Sequence, residues 1–391
     1  MPLLQDREFK ALLLFARFTL GTSDRDELTS HLSSGINWER LIHFAEINSL
    51  TPLVYKTLCA IDGFDIAEPA RDAIAKKSAF SAANNLLLAN KLFSLLSLLK
   101  DNQVPAMALK GPALSDELYG DLTLRQCSDI DLLIRREDIQ TAKKLITQNG
   151  FVPQFTLSEV NEKRYIESQY FYNFFDPNEK IALDLHWGIN TPGFGFSPDT
   201  TIFFEHTKSI ELMGTDIDIL SDENLIIMLS VHGGKHLWCQ LNWILDFAMA
   251  LKSDEIDWER ALNRLEKMGA TTMFLSGLEA CDELLGMTPP EKITGLPYLR
   301  NSLKKLNKNS NSSLYFGKPL HGIFDYHLPY LLSMDNQKDR LRYIYELLMK
   351  PTPNEWSLIE LPRVFGFLYY ILRPLRLASK AIKSTLSEVN K

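Results

Sequence analysis

The chain predicts an α+β protein, with a small mixed β-sheet core and flanking helices between helical N-terminal and C-terminal regions. Three observations carry this. Apolar residues recur at helical spacing through the first hundred positions, as in LLLFARF and WERLIHFAEINSLTPLVYKTL. From 102 to about 220 the period changes, and short apolar runs are broken by turn residues. From Ser221 the helical spacing returns in ENLIIMLSVHGGKHLWCQLNWILDFAMAL. The expected units are 1–101, 102–220, 221–306 and 307–391.

The bulk numbers bound the function. With 391 residues the chain can build two or three domains and at least one large core. Net charge is −7, so an extended nucleic-acid surface is not expected. The four cysteines, Cys59, Cys127, Cys239 and Cys281, form no C-x-x-C pair, which argues against a zinc site and a disulfide framework and fits a reducing cytosol. The opening MPLLQDREFKALLLF lacks a basic leader and a cleavage site, and no uninterrupted apolar run approaches a membrane span. A cytoplasmic protein is expected.

Asn37 is a plausible N-cap before Trp38, and Pro69 sits at a first-turn position of a helix reaching about Lys100. Leucines on more than one side of FSAANNLLLANKLFSLLSLL predict packing on two sides of that helix. Next come a strand from Val104 to Leu109, a Lys110-Gly111-Pro112 turn, a short helix, and a strand carrying Ser128-Asp129-Ile130-Asp131. Glu137 or Asp138 opens a further helix that Gly150 closes. Two hairpins follow, one turning at Asp176-Pro177-Asn178-Glu179 and one at Gly214. Asp216 and Asp218 in the second repeat a D-x-D spacing, which an edge hairpin can leave in water. Helices are expected over 257–268 and 271–285, and NKNSNSS at 307–313 reads as a loop or linker.

Asp129 and Asp131 share one face of their strand, roughly 7 Å apart at Cα. Two carboxylates on an otherwise apolar strand are costly unless a positive charge lies between them, and a divalent cation is the usual answer. Asp184, between Leu183 and Leu185, is a second acid in an apolar strand.

The ordered blocks resemble the DNA-polymerase-β-like nucleotidyltransferase superfamily. They are similar in particular to a poorly characterised bacterial branch with the pattern L-K-G-x-A-L, Y-G-D, Arg, D-I-D-L-L and L-D-L-H-W. Here these are Leu109 to Leu114, Tyr119-Gly120-Asp121, Arg125, Asp129 to Leu133, and Leu183 to Trp187. The H-x-x-K-H helix and the closing L-Y-Y-I-L-R-P also match, so the resemblance covers most of the chain.

The resemblance implies transfer of a nucleoside monophosphate from an NTP to an acceptor hydroxyl. Asp129, Asp131 and Asp184 would be the catalytic, metal-ligating acids, holding Mg²⁺, with Mn²⁺ as the alternative. Lys110, Gly111, Arg125, Ser128, His232, Lys235 and His236 would form the nucleotide-binding set. Several readings stay open. Arg125 could reach a phosphate or pair with an aspartate in its loop, and His186 could pack beside the acids or ligate. The His232, Lys235 and His236 face could close over nucleotide or acceptor, or simply cap a helix. Pro112 stands where the superfamily has Ser or Gly and has no N–H to offer a phosphate.

The expected acceptor is a small molecule, a sugar-containing compound or a peptide. A macromolecular acceptor (a tRNA end or a protein hydroxyl) and a non-catalytic nucleotide-binding scaffold are the alternatives. The segment from Arg363 carries six Lys/Arg and one Glu beside aromatic and leucine residues. It could make a peripheral contact with an anionic membrane at the inner surface, or pack on the body with a basic outer face.

Overall fold

The computed structural model describes residues 3–61, 66, 68–190, 201–294, 323–356, 358–359 and 361–389. The tract at 307–313 lies outside the described residues. Three N-terminal helices, α1 (Arg7–Leu20), α2 (Arg25–Ser33) and α3 (Trp38–Ile47), each start on a side chain that accepts a backbone N–H. These caps are Asp6, Asp24 and Asn37, which satisfy donors a helix leaves unpaired in its first turn. After α4 (Thr51–Ala60) comes α5 (Glu68–Asp101), which packs on α3 and α4 and then on the sheet and the helix Ile139–Gln148.

The buried positions of α5 fall on one stripe, Ile74, Ser78, Ser81, Asn85, Leu88, Ala89, Leu92, Leu95 and Leu99. This corrects the expectation of packing on two sides: Phe80, Leu86 and Leu87 are exposed. The helix meets different partners along its length instead. Among the described residues it is the one helix long and apolar enough to cross a membrane.

The sheet occupies the middle of the chain. Its strands are β1 (Ala106–Ala108), β2 (Asp129–Ile134), β3 (Val152–Pro153), β4 (Phe171–Asp176), β5 (Ile181–His186), β6 (Thr207–Leu212) and β7 (Thr215–Leu220). They lie in the order β3-β4-β5-β2-β1-β7-β6. β2 pairs with β5, and β1 with β7, in parallel; the other pairings are antiparallel. β1 is shorter than expected, although Leu109 N–H still donates to Asp131 O at 3.0 Å. Both expected hairpins form, and Asp216 and Asp218 are exposed near the sheet edge.

Side-chain alternation sorts β2 into two environments. Ile130, Leu132 and Ile134 join Leu183 and Leu185 in a core with α5 and with α7 (Ile139–Gln148). The opposite face carries the acids and looks toward a helical unit of α10 (Asp222–Lys235), α11 (Leu241–Ala250), α12 (Trp258–Met268) and α13 (Thr271–Leu285). α10 is buried almost all round. Gly233 and Gly234 make that possible: a Cβ on Gly233 would lie 2.3 Å from the Trp238 ring, and one on Gly234 2.5 Å from Met273. Helical segments 323–332, 337–349 and 369–389 follow.

Candidate active site

Parallel register brings the acids together. Asp131 on β2 lies directly opposite Asp184 on β5, while Asp129 faces the small Ala182. On the other side of β5, antiparallel pairing sets Asn173 opposite Asp184 and Phe171 opposite His186. Asn173 Nδ2 donates to Asp184 Oδ1 at 2.6 Å. Asp129 accepts from Ser128 Oγ at 3.0 Å.

Asp131 is 3% exposed. Such a carboxylate is costly without a positive partner, and Lys110 Nζ stands 3.1 Å from its Oδ1. His186 Nε2 is 2.9 Å from the same oxygen. Burial alone would raise the Asp131 pKa, but the Lys110 charge and the His186 hydrogen bond outweigh it and hold the carboxyl well below its usual range. Asp129 and Asp184 lack equivalent help, and burial, with repulsion from Asp131, pushes both upward. For Lys110, burial opposes the charged form, yet Asp131 and Asp129 prevail and raise its pKa.

The turn before α6 (Pro112–Tyr119) places Lys110. Gly111 has φ +68°, a conformation that disfavours side chains, and an added Cβ would sit 3.3 Å from Asp129 O. Ser115 is fully buried; its hydroxyl donates to Asp121 O at 2.8 Å and accepts from Arg125 N at 3.0 Å. That oxygen is engaged in holding the loop between Asp121 and Arg125.

Arg125 pairs with an aspartate, on a distant helix. Its Nε donates to Asp246 Oδ2 on α11 at 2.8 Å, and Tyr119 Oη donates to Oδ1 at 2.7 Å. Burial opposes the guanidinium charge, but Asp246 outweighs it and raises the Arg125 pKa. Tyr119 and Arg125, from two of the sequence blocks, thus clamp the sheet to the helical unit.

The end of α10 roofs the acids. Lys110, Asp129, Asp131, Asp184, His186, His232, Lys235 and His236 line one cavity of about 290 Å³, with Tyr170, Phe171, Ile189 and Met228 supplying apolar wall. His232 and His236 pack on Trp243 with ring centroids 5.2 and 4.9 Å away. Lys235 donates to Tyr170 Oη, its Nζ 4.6 Å from the ring centroid. Burial and then the Lys110 charge lower the Lys235 pKa to about 8. Burial, then Lys235 and Lys110, bring His236 to about 3, so it is neutral at neutral pH; burial and Lys110 likewise depress His232.

Three acids and two lysines leave this cavity slightly negative. A triphosphate tail would be repelled unless cations came with it, and the donor set offers a place for one. Asp131, Asp184 and His186 each offer a ligand atom, all within 4.8 Å of one another. The 2.9 Å between Asp131 Oδ1 and His186 Nε2 is close to the edge of an octahedron with bonds of about 2.1 Å. His186 Nδ1 is buried with no hydrogen-bond partner. The residues fit a divalent cation, with His186 in the group and Asp129 beside it on the same face. Tyr170, Phe171, Asn173 and Asp246 were not assigned roles from sequence.

This acid-bearing sheet roofed by a helical unit defines a nucleotidyltransferase-like class of protein. A family model described as uncharacterised nucleotidyltransferase matches residues 34–286, and the chain belongs to that family. No curated protein matches it. Among solved structures, an antigenic nucleotidyltransferase-like protein from Paracoccidioides brasiliensis aligns with 52% of this chain and 93% of its own, at 11% identity and a TM-score of 0.28.

Proposed function

We propose that the protein is a divalent-metal-dependent nucleotidyltransferase that moves a nucleoside monophosphate from an NTP to a hydroxyl of a small-molecule, sugar-containing or peptide acceptor, with release of pyrophosphate. The observation that carries this is the juxtaposition of Asp131, Asp184 and His186 beside Lys110 in one cavity. Asp131, Asp184 and His186 would hold the cation, with Asp129 lining the same cavity beside them. The cation supplies charge neutralisation on the phosphates and orients the reacting oxygens.

The chain's own residues do the rest. Lys110, which stands 3.1 Å from Asp131, would offer its ammonium to the phosphate tail. Asn173 fixes the Asp184 carboxylate through its amide. Lys235 brings a second cation across the cavity from the acids, steadied by Tyr170. Neutral His232 and His236, with Met228 and Phe171, favour a nucleobase or an apolar part of the acceptor rather than a phosphate. Arg125 supports the site from outside the cavity lining.

The test is incubation with each α-labelled NTP and a cell extract, followed by separation into small molecules, protein and RNA. Label in the small-molecule or peptide fraction is expected. Label in RNA or protein would replace the acceptor class, and no transfer with any NTP would contradict the reading.

A further inference from the structure

The C-terminal face presents apolar side chains that nothing in the described structure covers. Val364 is 80% exposed, Phe367 61%, Ile371 54% and Leu375 62%. Leu341 and Tyr345, on the helix 337–349 that packs against helix 369–389, are also exposed. Single exposed apolar residues need no explanation, but a run of this extent marks an interaction surface.

Beneath it lies a second cavity of about 370 Å³, lined by Arg164, Lys350, Ser168, Glu167, Trp356 and Tyr370, among others. Trp356 Nε1 is buried there without a partner. Arg164 lies under Gly366, where a Cβ would come within 2.4 Å of its guanidinium. Lys350 pairs with Glu346 at 3.3 Å.

We propose that this face docks on an anionic bilayer, with lipid headgroup phosphates meeting Arg164 and Lys350 and the apolar side chains entering the interface. Charge complementarity selects this occupant. The chain as a whole has a net charge of −7, yet the segment from Arg363 carries six Lys/Arg and one Glu. Two of those cations are committed inward: Arg373 and Arg376 both pair with Glu355, whose side chain is fully buried. Two arginines on one carboxylate still leave positive charge there, and Lys380 and Lys383 follow along the same helix. Polybasic charge beside an apolar helical face is the combination that binds anionic interfaces.

The face adjoins the corner that leads into β4. Glu167 and Ser168 line the second cavity, and Tyr170 and Phe171 line the first. Docking would therefore bring the candidate active site close to the bilayer.

The experiment is sedimentation of the full chain with vesicles of phosphatidylcholine alone or mixed equally with phosphatidylglycerol. It uses no nucleotide, so its outcome is separate from the transferase reading. Co-sedimentation with the mixed vesicles only, weakened by salt, is expected. The combined Val364→Ser, Phe367→Ser, Ile371→Ser variant, checked for an unchanged circular dichroism spectrum, should lose it. Lys380→Glu with Lys383→Glu should weaken partitioning by roughly tenfold or more. Equal sedimentation of the apolar variant, no sedimentation of the parent chain, or a dimer that the apolar variant dissolves would overturn the proposal.

Discussion

His186 shows how one side chain can join two tasks. Its Nε2 lies within hydrogen-bonding distance of Asp131 Oδ1 and stands among the atoms able to bind a cation. An imidazole in an otherwise oxygen set suits Mn²⁺ better than Mg²⁺. We expect His186→Ala to weaken Mn²⁺ binding, read by electron paramagnetic resonance, by about ten- to a hundredfold. Mg²⁺ competition should change less; equal Mn²⁺ affinity in parent and variant would remove His186 from the ligand set. Lys235 offers a pH test. It faces Lys110, Asp184, Tyr170, His232 and His236, and its pKa of about 8 leaves it charged below that value. NTP affinity should fall as pH rises through about 8, and Lys235→Met should flatten that profile. The stability sign is opposite. Between about 8 and the ordinary lysine range the unfolded chain holds a proton that the folded chain lacks, so stability relative to Lys235→Met should rise with pH. Denaturant titrations across that range read it directly.

At the scale of elements, register decides what was legible. D-x-D on β2 announced its shared face, because a strand alternates by two. The third acid was legible as an acid in an apolar strand, whereas its partner Asn173 was not. The observed turn runs from 177 to 180, so Asp176 pairs with Ile181 and Asn173 falls opposite Asp184. Placing the turn one residue early hides that pairing. His186 needed the parallel β2–β5 pairing, which no local pattern specifies. The Arg125–Asp246 pair spans 121 positions, and only the docking of α11 on α6 brings it together. Removing one partner leaves a buried charge uncompensated, so Asp246→Ala should cost about 3–5 kcal/mol in chemical denaturation. A double replacement, Arg125→Met with Asp246→Leu, should recover part of that loss. The pair of glycines in α10 is equally specific to packing. Gly233→Ala drives a methyl group into Trp238 and should destabilise by about 1–3 kcal/mol, despite the better helix propensity of alanine.

The whole molecule is a sheet whose two faces have different duties: one is sealed by α5 and α7, and the other is left for the acids and roofed by α10. The period change near 102 and its reversal at Ser221 made that division readable. The inward commitment of Arg373 and Arg376 was hidden because their partner, Glu355, looks like an ordinary surface residue in sequence. For Glu355, burial opposes the charge, but hydrogen bonds from Thr352 and the two arginines prevail and lower its pKa. Its contribution is therefore present above the ordinary glutamate range and is lost as pH falls through the depressed folded value. Acidification should loosen the C-terminal helix, read as protease sensitivity, and Glu355→Gln should loosen it already at neutral pH.

The cavity between Asp131, Asp184 and Lys110 is open to one decisive measurement, equilibrium binding of NTPs in Mn²⁺ or in chelator. At least one NTP should bind with the metal, chelation should abolish binding, and Asp131→Asn and Asp184→Asn should do the same while keeping the fold. Metal-independent binding, or unchanged affinity in both variants, would contradict a metal-dependent nucleotide site there.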